Sequence, residues 1–248
     1  MTDTIYLITG ANRGIGRALA ESFLARPNIT VIAAVRDPAI ESSKSLQSIS
    51  KGAESRVITV KIDSAILSDA AAAVETLKND HSITHIDVVI ANAGICENPQ
   101  PFLAVRFEDI QRHIDVNTFA PIALFKATYP LLKQSEKPIF VGVGSQMGTI
   151  GGMEQRPWSN SAYALSKTML NYVVRKLHFE HEDIVSFVAD PGFPRTDMGN
   201  ASANLIGLEK APQAVEESVN GVIKAIDGAT RESVGGQFRV WDESYFPW

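Results

Sequence analysis

Two kinds of apolar pattern alternate along the chain. Short, nearly continuous runs of β-branched and aliphatic residues recur, beginning with Thr4-Ile5-Tyr6-Leu7-Ile8-Thr9 and Thr30-Val31-Ile32-Ala33-Ala34-Val35. Runs without polar alternation suit strands buried on both faces of a parallel sheet. The pattern predicts strands at 4–9, 29–35, 56–61, 86–91, 138–143, 184–189 and 236–240. Longer segments between them place apolar residues at helical spacing, as with Ile15, Leu19 and Phe23, and predict helices at 14–26, 40–50, 67–79, 104–132, 160–181 and 211–227. This βα alternation indicates an α/β fold: a doubly wound, parallel, seven-stranded sheet with helices on both faces. Ligands of such sheets lie outside the carboxyl ends of the strands. No repeat or linker divides the sequence, so residues 1–248 are expected to form a single domain.

The first strand runs directly into Gly10-Ala11-Asn12-Arg13-Gly14-Ile15-Gly16, and an amphipathic helix follows. Glycines there let the backbone turn tightly and approach a pyrophosphate, which then meets the helix N-terminus. The spacing differs from G-x-G-x-x-G, but strand, turn and helix together favour a Rossmann-type dinucleotide site over an ordinary βα turn. The second strand ends at Arg36, where an acidic residue would bind a free ribose 2′-hydroxyl and an arginine suits a 2′-phosphate. With Arg13 able to flank the same group, the expected cofactor is NADPH/NADP+. Asp37 precedes Pro38 and reads as a turn residue. Asp63, ending the third strand, is placed to hydrogen-bond an adenine, to cap the next helix, or both. Ala91-Asn92-Ala93-Gly94 offers a small, flat stretch for the nicotinamide ribose.

Tyr163 and Lys167 stand four apart, which on a helix puts phenol and ammonium on one face. A cation at ~4 Å with an effective dielectric of ~20 contributes about 4 kcal/mol. Moving a phenol from pH ~10 to ~7 takes about the same. Lys167 is therefore expected to lower the Tyr163 pKa. Ser145, at the end of the fifth strand, is either a donor to a substrate oxygen or a turn serine. Pro121 removes the usual partner of the Asn117 carbonyl and predicts a kink. The freed carbonyl either holds a water that feeds protons to Lys167 or only fits the helix to the sheet.

These segments together resemble the short-chain dehydrogenase/reductase family over essentially the whole chain. The resemblance rests on Thr9-Gly10 to Gly16, Ala91 to Gly94, the ordered set Asn117, Ser145, Tyr163 and Lys167, and Asp190-Pro191-Gly192-Phe193-Pro194-Arg195-Thr196. Within the family, the sequence looks most like the norsolorinic-acid-ketoreductase-like and carbonyl-reductase branch. The resemblance implies that Tyr163 donates a proton to a carbonyl oxygen polarised by Ser145. It implies that Lys167 holds the nicotinamide ribose and depresses the tyrosine pKa, and that Asn117 positions a relay water. Thr196 and the backbone near Phe193 would hold the nicotinamide carboxamide, and Pro191 and Gly192 would also border the cofactor. Ser145 and Tyr163 are farther apart than is usual in the family, and the added segment, Gly151 to Trp158, is expected to form a loop over the substrate.

The leading expectation is an NADPH-dependent ketoreductase for a bulky, mostly apolar carbonyl compound, aromatic polyketide types included. Met147, Met153, Trp158, Phe193, Leu205 and Ile206 motivate the apolar pocket. The substrate lid is expected near 195–210, with Met198–Leu208 mobile and Gly199 and Gly207 as hinges. The alternatives are a non-catalytic NADP(H) sensor and oxidation of a secondary alcohol with NADP+. Leu165, Met169, Tyr172, Val173 and Leu177 on the helix at 160–181 predict a homodimer or homotetramer. The C-terminal aromatics, Trp241 and Tyr245 to Trp248, pack on a neighbour, on the substrate loop or within the domain. A net charge of −5 argues against nucleic acid or an anionic membrane as partner. Cys96, the single cysteine, excludes an intrachain disulfide and suits a reducing compartment, taken as the cytoplasm. It lies either by the active site or as an incidental buried thiol. The histidines lack metal-ligand spacing, so no metal is expected.

Overall fold

A computed structural model describes residues 3–248. Seven parallel strands form one sheet in the order β3-β2-β1-β4-β5-β6-β7. They are β1 (Thr4–Thr9), β2 (Ile29–Val35), β3 (Arg56–Lys61), β4 (Val88–Ala91), β5 (Ile139–Val143), β6 (Val185–Asp190) and β7 (Phe238–Val240). Strand β2 is buried along its full length, as its unbroken apolar run requires. One core packs α1 (Gly14–Leu24) and α8 (Val215–Asp227) on one face through Leu19, Phe23, Val219 and Val222. Tyr6 stacks on Phe23 there with ring centroids 4.0 Å apart. The opposite core brings in α3 (Asp69–His81), α5 (Ala120–Leu132) and α6 (Ser161–Glu180) through Leu77, Leu124, Leu170 and Val174.

Two predicted helices are divided in the structure, and the expected lid is a helix. The segment 40–50 divides into α2 (Glu41–Lys44) and a 3₁₀ turn at Ser45–Ser48. The long helix at 104–132 starts later, as α4 (Phe107–Ile114), and reaches α5 through a π turn at Asp115–Phe119. In that turn the Ala120 amide donates to the Asp115 carbonyl, five residues back. The extra residue of the π turn lies just before Pro121, so the irregularity is a widened turn around Asn117 as well as a proline effect. The expected lid at 198–208 is largely an ordered helix, α7 (Asp197–Leu205), N-capped by the Thr196 hydroxyl.

Strand order reverses between β1 and β4: the chain leaves β1 towards β2 and β3, then returns on the other side. That switch point opens a crevice at the carboxyl ends of the strands, where the predicted site residues gather.

Candidate active site

The β1–β4 rim of the crevice is built from main chain and small residues. Gly14 begins α1 with φ +56, a conformation that favours glycine. Gly16 sits so close to β1 that a Cβ would lie 2.4 Å from the Gly10 carbonyl oxygen. The Thr9 hydroxyl accepts from the amides of Asn92 and Ala93, each at 3.0 Å. Asn92 Nδ2 returns a bond to the Thr9 carbonyl at 2.8 Å, so this side chain staples β1 to β4. The α1 N-cap, Arg13, supplies no side-chain cap, and Asn12 directs its amide to Ser42 Oγ at 2.9 Å. The helix N-terminus beside Ile15 therefore keeps its orphan N–H groups for an anion, an arrangement that fits a dinucleotide pyrophosphate.

Arg36 is exposed at the end of β2, and Asp37 accepts from the Ala39 amide at 2.8 Å, a turn role as its place before Pro38 predicts. Arg13 instead reaches across to α7, with Nη1 3.8 Å from Asp197 Oδ2. Both side chains of that pair are well exposed, so the contact is weak. Asp63 does not cap α3, which begins six residues later. It closes a local turn by accepting from the Ala65 amide at 2.9 Å.

On the other rim, α6 carries Tyr163 and Lys167 to the end of β5. Lys167 is buried, its Nζ donating to the Val143 carbonyl at 2.8 Å and lying 5.7 Å from the Tyr163 ring centroid. Ser145 follows β5 and accepts from the Met147 amide at 3.2 Å. Hydrogen bonding by its hydroxyl also draws the Tyr163 pKa down. Asn117 is wholly buried: Oδ1 accepts from the Ile95 amide at 2.8 Å, and Nδ2 donates to the Ile95 carbonyl and Ser166 Oγ, each at 2.9 Å. Its side chain thus binds the π turn to the loop after β4 and to α6. A Cβ on Gly94 would lie 3.1 Å from Asn117 Oδ1 and 3.6 Å from Lys167 Nζ, so the loop's backbone runs alongside both.

The protonation energetics reverse one sequence expectation. Burial of its hydroxyl end pushes the Tyr163 pKa well up, with the nearby Cys96 and Asp190 adding to the rise and Ser145 opposing it. Lys167 does not produce the depression expected from its spacing. Its own ammonium is buried, which brings its pKa down to about 8, while Cys96 and Asp190 pull it back up. The pairwise argument counted the attraction and omitted the desolvation of both partners.

The segment after β6 is fastened by Gln213. The Phe193 amide donates to Gln213 Oε1 at 3.1 Å, and the Phe193 carbonyl accepts from the Gln213 amide at 3.3 Å. The Phe193 amide and carbonyl are thus both bonded to Gln213. Thr196 Oγ1 accepts from the Gly199 amide at 3.0 Å, which leaves its hydroxyl proton to donate. Pro191 is buried, and Gly192 donates its amide to Asp190 Oδ1 at 3.1 Å. Gly199 is no hinge: a Cβ there would lie 2.0 Å from the Pro194 carbonyl oxygen, so this glycine lets α7 pack closely. Gly207 has φ +81 and lies just past α7, as a helix-ending residue does.

The inserted segment meets the C-terminal tail. Thr149 Oγ1 donates to the Pro247 carbonyl at 2.6 Å, and the Gly151 amide to the Trp248 carbonyl at 2.7 Å. Arg156 lies over the Phe246 ring at 5.6 Å, and Arg175 of α6 over Trp248 at 4.7 Å. Of the surroundings left open for the tail, the structure gives the inserted loop together with the domain core, where Phe238 contacts Phe246 and Trp248.

Sequence reasoning missed His113 and Asp190 and left Cys96 undecided. His113 is buried on α4, its Nε2 accepting from the Glu97 amide at 3.1 Å, and so helps hold the β4–α4 loop. Cys96 lies 4.0 Å from Ser202 Oγ of α7 and within the field of Lys167. Burial pushes its thiol pKa up, so it is a site-lining thiol with little thiolate character.

A parallel sheet wound on both sides of β1, with a glycine turn on one rim and a half-buried Tyr163 beside a buried Lys167 on the other, defines a nucleotide-binding oxidoreductase. Residues 4–205 match the short chain dehydrogenase family, and the chain belongs to that family. The norsolorinic acid ketoreductase nor1 of Dothistroma septosporum is 44% identical over 99% of this chain and 92% of its own length. The norsolorinic acid ketoreductase of Aspergillus parasiticus is 42% identical over the same shares. The NADPH-bound carbonyl reductase from chicken fatty liver has a TM-score of 0.86 over 100% of both chains at 24% identity, a likeness of fold.

Proposed function

We propose that this protein uses NADPH to reduce the ketone of a bulky, largely apolar aromatic substrate of polyketide type to the alcohol. The observation that carries the reading is the convergence of Ser145, Tyr163 and Lys167 beside the loop held by Asn117. The cofactor supplies the hydride that adds to the carbonyl carbon. Tyr163 supplies the proton: its raised pKa keeps the phenol protonated at neutral pH until the substrate oxygen gains charge. Ser145 donates a hydrogen bond to the same oxygen and steadies the phenolate left behind. Lys167, with a pKa of about 8, is mostly cationic at pH 7, and the N–H groups it does not give to the Val143 carbonyl would be the ones to hold the ribose hydroxyls of the bound cofactor.

Arg36, exposed at the end of β2, supports a 2′-phosphate and hence NADPH over NADH. Exposed Met153, Trp158, Leu205 and Ile206 support an apolar substrate, and the norsolorinic acid ketoreductases among the relatives support an aromatic polyketide ketone. The raised phenol pKa favours reduction over alcohol oxidation, which must start from the phenolate. A sensor without chemistry would have no use for a tyrosine set beside a buried lysine. Tyr172 and Phe179, exposed on α6, and Phe107 and Phe119 on the preceding helical run support pairing with a second copy. Among the described residues, no helix is long and apolar enough to cross a membrane. A cytoplasmic homodimer or homotetramer is the corresponding proposal.

The direct test follows absorbance at 340 nm while the purified protein meets aryl ketones and hydroxyanthraquinones with NADPH or NADH. Ketone-dependent oxidation of NADPH, with slower use of NADH, is the expected result. Tight cofactor binding with no turnover across the panel would favour the sensor.

A further inference from the structure

Asp190 ends β6 and is 2% exposed. Its Oδ1 accepts from the Gly192 amide, while Oδ2 is buried with no hydrogen-bond partner. An unmatched buried carboxylate oxygen is costly, and a group of that kind calls for an explanation such as a ligand that completes it.

Its position fixes where such a ligand would lie. Side chains alternate along a strand, and Val188, two residues earlier, packs into the core with Leu170 and Val174 of α6. Asp190 therefore sits on the α6 face of the sheet, as Tyr163 and Lys167 do. Its charge raises the pKa of both. Gln146, directly after Ser145, lies close enough to act on Asp190 in turn, as does Arg156. The Arg156 guanidinium donates to Gln146 Oε1 and lies 5.9 Å from the Trp158 ring centroid. Asp190 thus belongs to a polar group formed by β5, β6 and the inserted segment, beside the proton donor. Burial lifts its carboxyl to about 6 against the pull of Gly192, Gln146, Arg156 and Lys167, so at neutral pH it is mainly an ionised acceptor.

We propose that Asp190 is a specificity-determining residue: its Oδ2 accepts a hydrogen bond from a hydroxyl on the carbonyl substrate, so the site selects hydroxylated ketones. The assignment rests on the ketone reduction proposed above and adds a second anchor to it. Ser145 and Tyr163 take the carbonyl oxygen, and Asp190 takes the hydroxyl. A ketone without the hydroxyl leaves the carboxylate oxygen unmatched, and sites built to bond a hydroxyl discriminate strongly against analogues lacking it.

The test compares 2-acetylnaphthalene, its hydroxylated isomers and their methyl ethers as substrates of the full chain with NADPH. Wild-type protein is expected to favour at least one hydroxylated isomer over its methyl ether by about tenfold or more in kcat/KM, mainly through KM. Asp190→Leu should bring that ratio to about one, while Asp190→Asn, which keeps the shape and one acceptor oxygen, should retain an intermediate preference. The intermediate Asn value separates a lost contact from general damage. No preference in the wild type, or a preference unchanged in both variants, overturns the assignment. So does a preference unchanged while NADPH affinity falls in both, since the missing donor would then belong to the cofactor. If no ketone is reduced, the ketone-reduction reading fails on its own. Fluorescence titration of the same compounds then decides the Asp190 assignment: binding that depends on both hydroxyl and Asp190 supports it, and indifference to either overturns it.

Discussion

The two rims of the crevice are built in different ways. Along β1–β4, Thr9, Asn12 and Asn92 have partners within the chain, and the work is done by backbone placed close to backbone. Along β5–β6, Asp190, Asn171 and Gln213 each keep a buried atom without a partner, and Tyr163 and Lys167 are held away from their ordinary pKa values. The first rim is a shaped surface whose tolerance is set by sterics. The second holds buried polar atoms that the fold itself leaves unmatched, at a cost in stability.

Opposite responses to substitution would sharpen this contrast. Gly16→Val puts side-chain atoms against the Gly10 carbonyl, with even its Cβ at 2.4 Å. It should destabilise the protein by about 3 kcal/mol or more and abolish NADPH binding, read by thermal melting and fluorescence titration. Normal folding and binding in that variant would break the steric half of the comparison.

On the other rim a substitution should stabilise. Asp190 has a folded-state pKa raised from 3.8 to about 6, so the folded protein binds that proton more tightly than the unfolded chain does. Stability is therefore lost as pH rises from about 4 to about 6, and the loss persists above that range. Asp190→Asn removes the ionisation and should stabilise the protein at pH ~7.5 by about 2 kcal/mol, with the advantage vanishing below pH ~4. Melting curves across that range check the sign. Asp190→Asn melting lower at neutral pH would contradict it.

The smallest expected effect is at the exposed end of β2. Arg36→Ala should weaken NADPH binding by about tenfold and leave NADH binding nearly unchanged, by titration of both cofactors. Equal loss for both would remove Arg36 from 2′-phosphate recognition.

The sequence revealed the shaped rim better than the chemical one, for physical reasons. Parallel strands buried on both faces have a local signature, so β1 and β2 were read with their observed limits. Glycine turns are also local. By contrast, α7 contains Gly199, Asn200 and Asn204, which weaken its helical signal, and only Thr196 followed by Asp197 marked a capped start. The π turn at Asn117 had Pro121 as its only local sign. The unmatched oxygen of Asp190, the tail bound to Thr149 and Gly151, and Cys96 beside Lys167 all depend on contacts between distant segments. The Tyr163 pKa was misjudged in sign because i,i+4 spacing reports the neighbouring charge and not the burial that outweighs it.

Tyr163→Phe tests the central claim most directly, because it removes one hydroxyl and leaves the ring in place. Stopped-flow or steady-state rates with the best ketone, measured beside NADPH affinity, should show kcat reduced by about a thousandfold and cofactor binding within about twofold of wild type. Ketone reduction at near wild-type rates by the Phe variant would contradict Tyr163 as the proton donor.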